Sequence, residues 1–167
     1  MLLTQRYREN TDNFIQSFIG ISDELFVKKP NHGSWSIAEV VEHIYRAEFG
    51  TTRLFSGDVT LEPNRDSEAK IKEMHDRFLV SDKPLNAFGA VLPTGENNIK
   101  SELIEKIQNN REAVIQLMPA HNLDEVCLKF AHPIFGQLTK REWIEFNMIH
   151  VLRHMKQIER IKNELKK

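Results

Sequence analysis

Thr139-Lys-Arg-Glu-Trp-Ile-Glu-Phe-Asn-Met-Ile-His-Val-Leu-Arg-His-Met-Lys-Gln-Ile-Glu-Arg-Ile-Lys-Asn-Glu-Leu165 reads as a single long helix. Thr139 stands three residues before Glu142, the spacing of a capping box, in which each side chain satisfies a backbone N–H at the helix start. Trp143, Ile144, Met148, Val151, Leu152, Met155, Ile158 and Ile161 then recur at three- and four-residue intervals. The helix is about 25 residues long, or about 38 Å at 1.5 Å per residue. His150 and His154 lie one turn apart within it, so both imidazoles project from the same face. Burying two imidazoles in an apolar helix is costly unless something binds them. A shared divalent cation answers that cost and calls for a third ligand.

The rest of the chain sets the context. At 167 residues and 40% hydrophobic content it has the size of a single domain, residues 1–167, with enough apolar material for a substantial core. With 23 Lys and Arg against 24 Asp and Glu, the net charge is −1. This gives no electrostatic case for a nucleic acid or an anionic membrane partner, and a small-molecule substrate is expected instead. Cys127 is the single cysteine, which excludes an intrachain disulfide and a cysteine-based zinc cluster. The start, Met1 to Glu9, turns charged too soon for a signal peptide, and no apolar run approaches the ~20 residues of a membrane span. A cytoplasmic protein is expected.

Three more segments carry helical periodicity. The first runs from Leu3 to Phe26 through Tyr7, Phe14, Ile15, Phe18 and Ile19, with a break near Gly20, and Pro30 to Gly33 closes it. The second begins at a capping box, Ser36 with Glu39, and continues through Val40, Val41, Ile44 and Ala47 to about Leu54, with Trp35 placed to staple its start onto the core. The third spans Ser101 to Leu117 and ends before Met118-Pro119. Between the second and third lies a polar stretch, Gly57 to Asn98, holding Pro63, Pro84 and Pro93 and a short helix from Ser67 to Phe78. Its length predicts that it packs across the helices and covers a site. Glu125 to Phe130 has extended character but no evident strand partner. Four amphipathic helices with one long crossover between helices 2 and 3 predict an all-α four-helix bundle.

His43 supplies the missing ligand. It sits on the second helix at the margin of the apolar stripe, within a turn of Val40 and Ala47, so its ring should face the bundle interior. His43, His150 and His154 would make a three-histidine metal site with coordination positions left open, as in catalytic rather than structural centres. A di-iron centre would need Glu-x-x-His motifs on two helices. Here the residues three before the candidates are Val40, Asn147 and Val151, so a mononuclear site is expected.

Trp35-Ser-Ile-Ala-Glu-Val-Val-Glu-His43 resembles the Trp-Ser-x-x-Glu-x-x-x-His entry to the second helix of the DinB-like, or YfiT-like, superfamily of metal-dependent four-helix-bundle enzymes. His132-Pro-Ile-Phe-Gly-Gln-Leu-Thr-Lys-Arg-Glu-Trp143, followed by His150-Val-Leu-Arg-His154-Met-Lys-Gln-Ile158, resembles the C-terminal signature of the same family. The resemblance implies an up-down-down-up bundle, a divalent metal on His43, His150 and His154, and a homodimer. Family members with assigned activities include thiol-dependent S-transferases and a thiol-dependent isomerase.

A metal on these residues leads to two chemistries. Water acidified by the ion attacks an electrophile, which makes a hydrolase, or a low-molecular-weight thiol is bound and delivered as thiolate, which makes an S-transferase. Zinc is the default for a site of neutral imidazoles without a carboxylate, and nickel, iron, cobalt and manganese are the alternatives. No general acid or base stands out. Glu39 already has a capping role, and Cys127 reads as a small buried hydrophobe. Asn147 is a candidate for orienting a ligand or substrate, Gln157 for packing or helix–helix hydrogen bonding, and His132 for a turn or the cavity wall. His32, His75 and His121 read as solvated. The competing reading is a non-catalytic metal-binding or stress-response module on the same scaffold.

Overall fold

The computed structural model describes residues 1–81, 86–87, 89–96 and 98–166; Pro84, in the expected crossover, lies outside the described residues. Both capping boxes form. Ser36 and Glu39 exchange hydrogen bonds at the start of α3 (Ile37–Glu48), and Thr139 and Glu142 do so at the start of α6 (Lys140–Leu165). The first expected helix is two. α1 (Leu3–Gln16) stops at Ser17, and α2 (Asp23–Val27) starts afresh because Ser22 accepts the Leu25 N–H and Asp23 and Glu24 occupy its positive end. The second is shorter than expected: past Gly50 the chain tightens into a 3-10 turn, Thr51–Phe55. α4 (Ser67–His75) runs into a π-helical turn, Asp76–Val80, and α5 (Lys100–Leu117) matches the expected third helix.

Contacts between α1, α3, α5 and α6 define the bundle and its directions. Arg6 pairs with Glu145, Asn10 bonds the Met148 carbonyl and Lys162 the Ser17 carbonyl, so α1 and α6 run parallel. Arg8 meets Glu112, while Lys100 near the start of α5 reaches Ile21, so α1 and α5 are antiparallel. His43 faces His150 and Thr51 faces Asn147, which makes α3 and α6 antiparallel. The order is up-down-down-up, and such parallel neighbours need the long crossover that Gly57 to Asn98 provides.

A small sheet, absent from the all-α expectation, closes one end. β1 (Val59–Thr60), β2 (Val126–His132) and β3 (Gly136–Thr139) pair antiparallel in the order β1-β2-β3. The partner that Glu125 to Phe130 seemed to lack is the segment just before α6. A tight turn allows it: Gly136 adopts φ +72°, and the His132 ring accepts the Ile134 and Phe135 N–H groups through Nδ1. Arg65 clamps this end onto the bundle by a two-pronged bond to Glu142 and another to the Gln137 carbonyl.

The core has an aliphatic and aromatic half, where Phe14, Phe18 and Phe26 pack on Val40, Ile44, Ile107 and Ile158. Each such side chain stabilises the fold by about 1.5–3 kcal/mol when fully buried. It also holds a charged pair. Arg111 is 1% exposed, and its guanidinium grips Glu48 through two bonds of 2.6 and 2.7 Å and also donates to Asn10 and Thr11. The Tyr7 ring lies 4.5 Å from the guanidinium carbon. Among the described residues no helix is long and apolar enough to cross a membrane.

Candidate metal centre

α3 buries every residue from Ile37 to Ile44, because α5 and α6 cover one side and the crossover covers the other. His43 is therefore 4% exposed, and His150 and His154 on the facing helix are each 8% exposed. His150 Nε2 lies 3.2 Å from His43 Nε2 and 3.0 Å from His154 Nε2. Three donor atoms, one per histidine, all fall within 4.8 Å of one another. Tetrahedral ligands at the usual zinc–nitrogen length of ~2.05 Å would stand about 3.3 Å apart. The two separations from His150, 3.2 and 3.0 Å, are already close to that spacing.

Hydrogen bonding fixes which nitrogen faces inward. His43 Nδ1 donates to the Val91 carbonyl at 2.8 Å, and His154 Nδ1 donates to Gln157 Oε1 at 2.8 Å. With Nδ1 carrying the proton, both neutral rings present an Nε2 lone pair to the centre. His150 Nε2 sits between the two and has one proton at most, so it can satisfy only one of them. Its Nδ1 is buried without a partner among the described residues, whichever nitrogen is protonated. No proton arrangement of the neutral cluster pairs every lone pair, whereas one cation accepts all three Nε2 lone pairs together.

Protonation is not an easy alternative. Burial pushes the His43 pKa below its ordinary value, with the bond to Val91 opposing. It pushes His150 well below, helped by the neighbouring histidines, and takes His154 down to about 3. The rings are thus neutral ligands at neutral pH. Aromatic side chains surround them: Trp35 lies 5.1 Å from the His43 ring, and Phe78 and Phe146 lie 5.8 and 5.4 Å from His150. That wall lowers the local dielectric and strengthens electrostatic interactions within it.

Several expected roles change. Asn147 does not serve the histidines; its amide donates to Tyr7 and Thr51, tying it to the Arg111–Glu48 region. Gln157, expected to pack or to hydrogen-bond between helices, instead orients His154 on its own helix. His132 is a turn residue with its ring among Phe135, Trp143 and Phe146, and burial lowers its pKa to about 4. His121 is half-buried against Phe55 rather than solvated, while His32 and His75 are exposed. Cys127 is buried and its thiol is pushed up to about 11, so it is a poor nucleophile. Val91 carries no sequence signal at all, because it acts through its carbonyl. Gln157 did carry one, in its three-residue spacing from His154.

The sequence matches the model of the DinB superfamily over residues 6–158. It is 28% identical over 149 residues to the uncharacterized protein YuaE of Bacillus subtilis (strain 168), covering 89% of this chain and 90% of that protein. The fold is similar to that of YfiT from Bacillus subtilis, described as "a probable metal-dependent hydrolase with an unusual four-helix bundle topology". The TM-score is 0.65 at 13% identity, covering 98% of this chain and 86% of YfiT. It is also similar to TT2238, a four-helix bundle protein, with a TM-score of 0.55 at 13% identity over 94% of this chain and 98% of the other. The chain belongs to the DinB superfamily.

Proposed function

We propose that His43, His150 and His154 hold one divalent ion, zinc by default, and that the protein is a metal-dependent hydrolase of small electrophilic substrates. The observation that carries this reading is the convergence of three neutral Nε2 atoms in a buried cluster that no proton arrangement satisfies. An ion with three protein ligands and an open position acidifies water towards a pKa of about 7 and polarises a carbonyl or similar oxygen. The chain's own residues do the rest. Val91 and Gln157 lock two of the ligand rings, and Trp35, Phe78 and Phe146 keep bulk water away. The absence of a carboxylate among the three clustered ligands argues against oxygen-activating iron and favours zinc. The likeness to YfiT, itself described as "a probable metal-dependent hydrolase", supports the reaction class.

The test begins with untagged protein and its metal content. One zinc per chain is expected. His43→Ala should remove the metal or weaken it severely while helicity by circular dichroism stays close to wild type, and full stoichiometry in that variant would remove His43 from the site. A panel of activated esters and amides, assayed with and without physiological thiols, then addresses the reaction. Turnover by holoprotein alone supports hydrolysis. Turnover that requires added thiol overturns it in favour of S-transfer through the same three ligands. Binding without turnover of either kind leaves a metal-binding module.

A further inference from the structure

The crossover segment 89–95 is fastened across the outer side of α3 by one helical turn of side chains. Glu42, buried beside His43, accepts the Thr94 N–H at 2.9 Å and the Thr94 hydroxyl at 2.8 Å on one oxygen, and the Gly95 N–H at 3.0 Å on the other. Gly95 has φ +74°, a conformation that favours glycine, and this turn brings consecutive N–H groups onto one carboxylate. Arg46, one turn on, donates from Nε to the Ala90 carbonyl at 2.9 Å and lies 3.7 Å from the Glu42 carboxylate. Between these two anchors, the Val91 carbonyl accepts a hydrogen bond from His43 Nδ1–H.

We propose that Glu42 is a positioning residue for the metal centre: it holds segment 89–95 as a strap whose Val91 carbonyl sets the ring orientation and tautomer of His43. The proposal rests on the metal reading above. A backbone carbonyl in an unanchored loop would meet the imidazole only part of the time. Without it, His43 Nδ1–H loses its buried acceptor, and the ring is free to rotate or to move its proton to Nε2, which leaves no lone pair facing His150 and His154. Strap and metal are then two faces of one equilibrium. Whatever factor the strap adds to metal affinity, metal must add to strap closure.

The experiment compares wild type, Glu42→Ala and Glu42→Gln as metal-free protein. Zinc affinity is measured against a competing chelator, the ligand field by cobalt(II) absorption, and strap closure by hydrogen exchange of the Thr94 and Gly95 amides with and without zinc. In wild type, zinc should slow exchange of both amides. Glu42→Ala should weaken zinc binding about tenfold or more, as for loss of an outer-shell partner, and should shift the cobalt bands. Glu42→Gln should fall between, because its amide oxygen keeps the Thr94 donors while its NH2 confronts the Gly95 N–H. The glutamine variant also carries the test if the alanine variant does not fold. Fast-exchanging Thr94 and Gly95 amides together with wild-type zinc affinity and an unchanged cobalt spectrum would overturn the coupling and leave the metal site standing. A wild-type protein that binds no zinc or cobalt would overturn the metal reading, and this proposal with it.

Discussion

Arg111→Met should be among the most damaging single changes outside the histidine cluster. The Glu48 side chain is 2% exposed, and without the guanidinium the Tyr7 hydroxyl is the side-chain donor left to its carboxylate among the described residues. Removing one partner of a buried ion pair costs about 3–5 kcal/mol. The lost bonds to Asn10 and Thr11 add about 1 kcal/mol each, and the methionine recovers part of the packing against Tyr7. A net loss of about 4 kcal/mol corresponds to a melting temperature lower by about 8–16 °C for a domain of this size. Urea melts of metal-free protein would measure it. The double variant Glu48→Leu/Arg111→Met should regain at least half the loss, since a buried pair is replaceable by apolar groups. A single variant within 1 kcal/mol of wild type, or a double variant no better than the single one, would refute this reasoning.

Gln157→Leu should cut zinc affinity about 10–100-fold by removing the acceptor that locks His154, with little effect on the melt of metal-free protein; isothermal titration checks both the size and the selectivity. Gly136→Ala meets no steric obstacle but forces an alanine to φ +72°, so it should cost about 1–2 kcal/mol, read as a melting temperature lower by about 2–8 °C. His132→Asn should flatten the pH dependence of stability. Unfolded histidine takes a proton near an ordinary value of about 6.5, while the buried ring waits until about 4. Stability is therefore lost as pH falls between those values, and the asparagine variant should lack that component of the slope in melts of metal-free protein.

What the sequence disclosed followed from how locally each feature is encoded. The starts of α3 and α6 were legible because a capping box is written within four residues. His43 was found because burial follows the apolar stripe of its own helix. The strand pairing was hidden, since β3 is four residues long and its last residue, Thr139, is also the cap of α6. Gly20 marked the break in the first helical segment, but the new start at Asp23 rests on Ser22 capping the Leu25 N–H, a cap not picked out in the sequence. Asn147 shows the limit of spacing arguments: it stands one turn from His150, but Tyr7 and Thr51 compete for its amide and win. The Val91 carbonyl belongs to a class of partner that residue identity cannot announce.

The parallel pairing of α1 with α6 has a consequence for biosynthesis. His43 and His150 are separated by 107 residues, so at ordinary translation rates of about 5–20 residues per second the first is made about 5–20 s before the second. During that interval the nascent chain holds only the first of the three clustered imidazoles, and α1 still waits for its parallel neighbour α6. An ion cannot template the early collapse. The proposed ion can be captured only once α6 has been made, after the other three helices of the bundle.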